Sequence, residues 1–180
     1  MKLRSIVIVG SLVCIGMVGS VVAQDSTQRA QQLTAQLDKT KYKSKEKKGF
    51  KVEVYVDVKN EAVVKSPAEY AGTYTDESDL YSMKLTVSRD GSVSGSGTDS
   101  EEENKGQSFT LQNGRINGAV LTATKVYSTG RTEPFEAVFV NRSVSTGTNA
   151  SKIDSVDKEF GLGYIQKWGE STSRVFLKKQ

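Results

Sequence analysis

The chain has no histidine, a single cysteine, two prolines and one tryptophan among its 180 residues. Without histidine, it cannot use an imidazole as a catalytic base, a metal ligand or a pH switch. The cysteine, Cys14, lies in an apolar N-terminal run, so the remainder of the chain has no thiol from which to form a disulfide. Any fold built from that remainder must be stabilised by its core alone.

The N-terminus has the features of a secretory signal. Lys2 and Arg4 precede an apolar run over residues 6–22, and Ala23 closes a triplet of small and β-branched residues suited to cleavage. We therefore predict a signal peptide over residues 1–23, a mature chain beginning at Gln24, and a periplasmic or secreted location. A membrane anchor that stays attached is the alternative. Export without disulfides is typical of a bacterial envelope or secreted protein.

The charge of the chain is close to balanced. Removing Lys2 and Arg4 leaves 23 basic against 21 acidic residues, a net charge of +2. Nucleic-acid binding depends on an excess of basic charge, so the sequence predicts no nucleic-acid partner. No cofactor-binding motif is present either.

Residues 24–48 form a polar extension that we predict to be helical or disordered. Ala30, Leu33 and Leu37 fall at helical spacing, but this apolar face is thin and needs a packing partner. The lysine-rich run over residues 39–48 is predicted to be a solvated linker or a fraying helix end. An alternative is weak contact of residues Lys39–Lys51 with an anionic envelope surface.

Residues 49–180 have the pattern of one β domain. A first strand alternates apolar and polar residues from Phe50 to Val58, and short alternating segments follow from Gly72 to Lys178. Antiparallel strands in sequence order leave two unpaired edges, and closure into a barrel removes both. The predicted fold is mainly β: an antiparallel up-and-down meander barrel of about eight strands.

Three details of this meander are specific enough to test. Asn113-Gly114 is predicted to be a hairpin turn. The strand that follows is predicted to run from Ile116 to Tyr127 and to be the most buried. The segment from Ser143 to Lys158 is rich in Ser, Thr, Asn and Gly, and we predict a long loop with a short helical turn near its end.

The order of elements resembles the calycin barrels, which include lipocalins, fatty-acid-binding proteins and avidins. Gly72-Thr73-Tyr74 resembles the Gly-x-Trp motif of their first strand, with tyrosine in place of tryptophan. Arg174, in the last strand, is similar to the arginine that calycins stack on that aromatic ring. The resemblance implies that Tyr74 and Arg174 close the barrel. The tryptophan-rich pocket of avidins and the paired cysteines of many lipocalins are missing.

A closed meander of this size can hold one small ligand or be filled by its own side chains. We predict a non-catalytic binding barrel for a small apolar ligand. The alternative is a solid barrel that contacts a partner or anionic surface through its loops or lysine segment. An enzyme would need paired carboxylates or a Ser/Lys pair, and no spacing selects such a set. The candidate ligand-lining residues are large side chains on inward faces: Tyr81, Met83, Phe135, Phe139 and Tyr164.

Overall fold

The computed structural model describes the backbone of residues 18–47, 50–76, 82–99, 106–168 and 171–180. Side chains are described for residues 25–41, 54–76, 82–99, 106–166 and 172–180. These described residues form two helices, α1 (Val18–Leu37) and α2 (Pro67–Tyr70). Ten strands follow the chain in the order β1 (Lys39–Lys47), β2 (Phe50–Ala62), β3 (Gly72–Asp76), β4 (Ser82–Val87), β5 (Val93–Thr98), β6 (Ser108–Asn117), β7 (Val120–Tyr127), β8 (Thr132–Asn149), β9 (Lys152–Trp168) and β10 (Ser171–Lys179).

Strands β3 to β10 form a closed antiparallel barrel of eight strands. Each strand pairs with the next in sequence, and β10 pairs with β3 to complete the circle. Buried and exposed residues alternate along the strands of the barrel wall. In β4, Met83, Leu85 and Val87 are buried, while Ser82 and Lys84 are exposed. The predicted up-and-down barrel is therefore confirmed.

Strands β8 and β9 are too long for the barrel, and they continue out of one end. Beyond Val140, β8 leaves β7 and pairs on the same edge with β2, while β9 stays on its other edge. Strand β1 pairs with the outer edge of β2. We call the sheet made by β1, β2, residues 140–149 of β8 and residues 152–160 of β9 the arm.

The arm corrects two predictions. The segment Ser143–Lys158 is a hairpin of two long strands instead of a loop, because β2 and β9 supply hydrogen bonds to both edges of β8. The segment predicted to be a linker is strand β1, because β2 offers it a complete edge from Phe50 to Val58. The alternating strand predicted over Phe50–Val58 is confirmed, but it lies in the arm and outside the barrel.

The turn predicted at Asn113-Gly114 is wrong. Strand β6 runs through these residues with a bulge, at which the register against β7 shifts between Gln112 and Arg115. Asn113 has φ of 54°, and a side chain on Gly114 would lie 2.5 Å from Val93 Cβ. The chain reverses instead near Gly118, whose φ is +60°. The single strand predicted over Ile116–Tyr127 is thus divided between β6 and β7.

Helix α1 packs on the outside of the barrel wall, as its thin apolar face requires. Its residues Ala30, Leu33 and Leu37 form one buried cluster with outward residues of the barrel and the neighbouring turn, which are Ala119, Val120, Val138 and Val140. At the edge of this contact, Arg29 Nε donates to Glu136 Oε1 at 2.9 Å. This second core explains why β8 is apolar on both faces. Within the described part of the chain, neither helix is long and apolar enough to span a membrane.

The packing of α1 can be tested by proteolysis. Leu33→Asp places a carboxylate in the buried cluster, so we expect α1 to leave the wall while the barrel persists. Trypsin cleavage after Arg29 should accelerate about tenfold or more, measured by mass spectrometry over a time course. Gln32→Asp, an exposed change one residue away, is the control. Equal cleavage rates in the two variants would show that Leu33 does not hold the helix.

Candidate functional site at the open end of the barrel

The end of the barrel from which the arm emerges is closed by aromatic side chains. Helix α2 brings Tyr70 under the barrel, where its ring stacks on Phe139 with a centroid distance of 3.9 Å. Phe160 lies parallel to Phe139 at 6.4 Å, and Tyr74 meets both of these rings edge-on. Tyr70, Tyr74 and Phe139 are fully buried. These four rings pack against one another and fill this end of the core.

Hydrogen bonds fix this aromatic plug in place. The Tyr70 hydroxyl lies 2.7 Å from Val63 O and 2.9 Å from Gly118 O, and it accepts the Lys65 N–H at 2.8 Å. The Tyr74 hydroxyl donates to Tyr70 O at 2.5 Å. Burial raises the pKa of both phenols. The plug therefore ties β3, the β6–β7 turn and the segment before α2 together.

Two lysines lie against the outermost ring of the plug. Lys65 Nζ is 4.0 Å and Lys179 Nζ 5.7 Å from the centroid of Phe160. Lys179 Nζ also donates to Glu69 O at 3.0 Å. Burial, and then the nearby charge of Lys65, lower the pKa of Lys179. Cations on the Phe160 ring thus complete this closed end.

The opposite end of the barrel carries an open cavity with a volume of about 900 Å³. Strands β3 to β7 form its rim. Met83, Phe109 and Tyr127 are the buried side chains that line it, and Gly97 lies among them. The Gly97 position must stay small, because an added Cβ would lie 2.6 Å from both Phe109 and Ser82 O. Thr98 and Ser108 supply hydroxyls at the rim.

A buried lysine lies inside the barrel near this cavity. Lys125 is on the inward face of β7, between Ala123 and Tyr127, and is only 5% exposed. Its Nζ donates to Gln166 Oε1 at 3.2 Å and lies over the Phe109 ring, 4.7 Å from the centroid. A second ring, Phe135, is 5.8 Å away. The interior therefore offers a cationic, hydrogen-bonding group beside aromatic surfaces.

Acidic groups gather around Tyr127 at the same end. Its hydroxyl lies 2.7 Å from Asp99 Oδ2 and 2.8 Å from Glu133 Oε2, so two carboxylates share its single hydroxyl proton. Burial, followed by these two hydrogen bonds, raises the pKa of Tyr127. Arg131 forms an ion pair with Glu133 and lies over the Tyr127 ring at 4.7 Å. The open end thus combines apolar surface with paired acidic and basic groups, an arrangement suited to binding.

The predicted ligand-lining residues are divided between the two ends. Met83 lines the cavity. Phe135 and Tyr164 meet edge-on at 5.1 Å, deeper in the same core, and Phe139 belongs to the plug at the closed end. Tyr81 lies outside the described residues. Three inward residues of the open end were not selected from the sequence, namely Phe109, Lys125 and Tyr127.

The predicted closure by Tyr74 and Arg174 is correct for the strands and wrong for the side chains. Strand β3 does pair with β10, but the residue opposite Tyr74 is Lys179. Tyr74 points into the core, whereas Arg174 is exposed and its Nε donates to Gln36 O of α1 at 2.7 Å. Arg174 lies on the outer wall because Val175 and Leu177 occupy the inward positions of β10. The cation–aromatic contacts of the closed end are made by Lys65 and Lys179 instead.

In the described ranges, no three Cys, His, Asp or Glu side chains come together in a way that could hold a metal ion. Comparison of the chain with protein-family models, curated proteins and solved structures finds no match. The geometry of the barrel itself is therefore the basis for any functional proposal.

Proposed function

We propose that this chain is an exported, non-catalytic barrel that binds one small, largely apolar ligand at its open end. The observation that carries the proposal is the contrast between the two ends. One is sealed by stacked aromatic rings, and the other has a cavity of about 900 Å³ whose buried lining is Met83, Phe109 and Tyr127. Small-ligand sites in proteins commonly have this volume and combine apolar side chains with polar groups at their edge.

The polar groups of the open end support a ligand with one polar group. Lys125 and Gln166 lie within the same core as the cavity lining, and Lys125 Nζ is adjacent to the Phe109 ring. A ligand whose apolar part contacts Met83 and Phe109 would reach these groups with its polar end. The closed eight-strand order and Gly72-Thr73-Tyr74 further support a place among the calycin-like barrels.

Binding can be tested with the neutral fluorescent probe N-phenyl-1-naphthylamine. We expect the protein to give a saturable rise in fluorescence, and Met83→Trp to weaken the affinity about tenfold by filling the cavity. Thr86→Trp puts the same ring on the outer face of the same strand and is the matched control. Circular dichroism would verify that both variants fold. A probe signal that is equal in the two variants would place binding elsewhere.

The alternative of a solid barrel that contacts a partner has one observation in its favour. Below the cavity, Phe135, Tyr164 and Phe139 fill the interior in one continuous core. Native mass spectrometry of the protein purified from its own source distinguishes the two functions. A retained small molecule supports ligand binding, and its consistent absence together with no probe binding supports the solid barrel.

A further inference from the structure

The pairing of β1 with β2 aligns two unlike rows of residues. Lysine occupies every second position of β1, at residues 39, 41, 43, 45 and 47. In the register of the two strands, these positions face Val58, Val56, Val54, Val52 and Phe50 in that order. Directly paired residues lie on the same face of a sheet, so one face of the arm carries a lysine row beside an apolar row. We call this face the lysine–valine face.

The acidic residues of these strands are placed on the other face. Glu46 pairs with Lys51, and Glu53 and Asp57 occupy the positions of β2 between the valines. The two rows therefore contain no acidic residue. At about 3.3 Å per residue, the five lysines extend over roughly 27 Å. A row of this length that carries only positive charge is suited to bind an extended anionic partner.

Among the described residues, this face stays exposed or partly exposed beyond the end of α1. The helix covers the arm near Ala62 and Val140. It ends at Leu37, and the carboxylate of the next residue, Asp38, accepts the Asn60 N–H at 2.7 Å. Farther out, Lys41 is exposed and the valines at 54, 56 and 58 are only partly buried. The acidic residues on this face, Asp157 and Glu159, belong to β9, three strands from β1, and Glu159 pairs with Lys178.

We infer that the lysine–valine face docks on an anionic lipid bilayer. The lysine row would meet the head-group phosphates, and the adjacent valine row would contact the acyl boundary. A soluble polyanion could satisfy the lysines but would leave the apolar row without a partner. This face is on the arm, at the end of the barrel away from the cavity, so membrane docking would leave the open end accessible to a ligand.

Vesicle sedimentation tests the inference with the predicted mature chain, which begins at Gln24 and lacks the apolar run over residues 6–22. The probes are vesicles of phosphatidylglycerol and phosphatidylcholine, compared with pure phosphatidylcholine. We expect binding to the anionic vesicles that falls with salt. Lys41→Gln/Lys43→Gln/Lys45→Gln should reduce the partition coefficient about tenfold or more. The matched control Arg89→Gln/Lys152→Gln/Lys158→Gln removes the same charge from exposed sites off the face, and we expect a change of less than about threefold.

A second variant separates a bilayer from a soluble polyanion. Val54→Ser/Val56→Ser keeps the lysines and should still lower vesicle binding several-fold, because the apolar row is weakened. Equal losses in the two triple variants would overturn the inference, since binding would then depend on net charge alone. Binding of polyphosphate as tight as that of vesicles, with no effect of the serine pair, would also overturn it. Circular dichroism would verify that each variant is folded.

Discussion

Tyr70→Ala is expected to lower the free energy of unfolding by about 4 kcal/mol, the usual cost of removing a large buried aromatic side chain. The ring is fully buried and stacks on Phe139 at 3.9 Å. Its hydroxyl lies within hydrogen-bonding distance of Lys65 N, Val63 O and Gly118 O, and all three backbone groups would lose this partner. Urea denaturation followed by tryptophan fluorescence and circular dichroism would measure the change.

Two further variants divide this effect into its parts. Tyr70→Phe keeps the stacked ring and removes the hydroxyl, so we expect a loss of about 1–3 kcal/mol from the unsatisfied backbone groups. Val64→Ala alters a nearby side chain that is 69% exposed, and its effect should be close to zero. If Tyr70→Phe were neutral, the hydroxyl would not hold the segment before α2 to the β6–β7 turn.

Tyr74→Ala is expected to cost about 3–5 kcal/mol, and its effect should add to that of Arg174→Ala. Tyr74 is fully buried, meets Phe139 and Phe160 edge-on, and donates to Tyr70 O. Arg174 lies on the outer wall and holds the last turn of α1 through Gln36 O. Because the two side chains lie on opposite faces of the wall, they share no contact.

A double-mutant cycle in urea checks this expectation. The coupling energy between Tyr74 and Arg174 should be within about 0.5 kcal/mol of zero. As a positive control, Tyr74→Ala combined with Phe139→Ala should show clear coupling, since these rings touch at a centroid distance of 5.7 Å. A large coupling at Arg174 would restore the stacked arrangement that the calycin resemblance implies.

Alternation of apolar and polar residues was enough to predict the barrel, but it could not predict the arm. Residues 143–149 of β8 have too few apolar side chains to show a period, and none of them belongs to either of the two core clusters. They are extended because β2 and β9 occupy both edges of the strand. In β1, repulsion between the lysines suggested a solvated linker. The hydrogen bonds that the edge of β2 offers outweigh this repulsion, so the segment is a strand. The pairing of β8 with β2 is non-local and leaves no mark in the β8 segment itself.

Local turn chemistry misled the prediction at Asn113-Gly114. The dipeptide does adopt the left-handed backbone that it favours, with φ of 54° at Asn113. The same conformation can serve a bulge as well as a hairpin. Strand β5 ends opposite Gly114, but strand β7 continues to pair with β6 as far as Asn117. The length of β7 therefore decided between the two uses.

The open end was partly predictable. Alternation placed Met83 on an inward face, and the same rule applied from Leu121 to Tyr127 places Lys125 inward too. A lysine at an inward position does not stand out as a candidate, because charged residues are rarely buried without partners. Its partners, Gln166 and the Phe109 ring, come from β9 and β6 and become adjacent only when the barrel closes. The sequence could not indicate which aromatics form a plug and which line a cavity, since both face inward.

The pairing of β10 with β3 has a consequence for how the chain reaches its native state. Thr75 and Lys178 are partners across 103 residues, so this contact forms against a larger loop entropy than any other strand pair in the described sheet. Until β10 docks, β3 and β9 each expose a row of unpaired backbone groups. These edges are templates for another copy of the chain. Loss of the last strand would therefore do more than weaken the barrel, because it would turn a closed barrel into an open sheet with two unpaired edges that can pair with other chains.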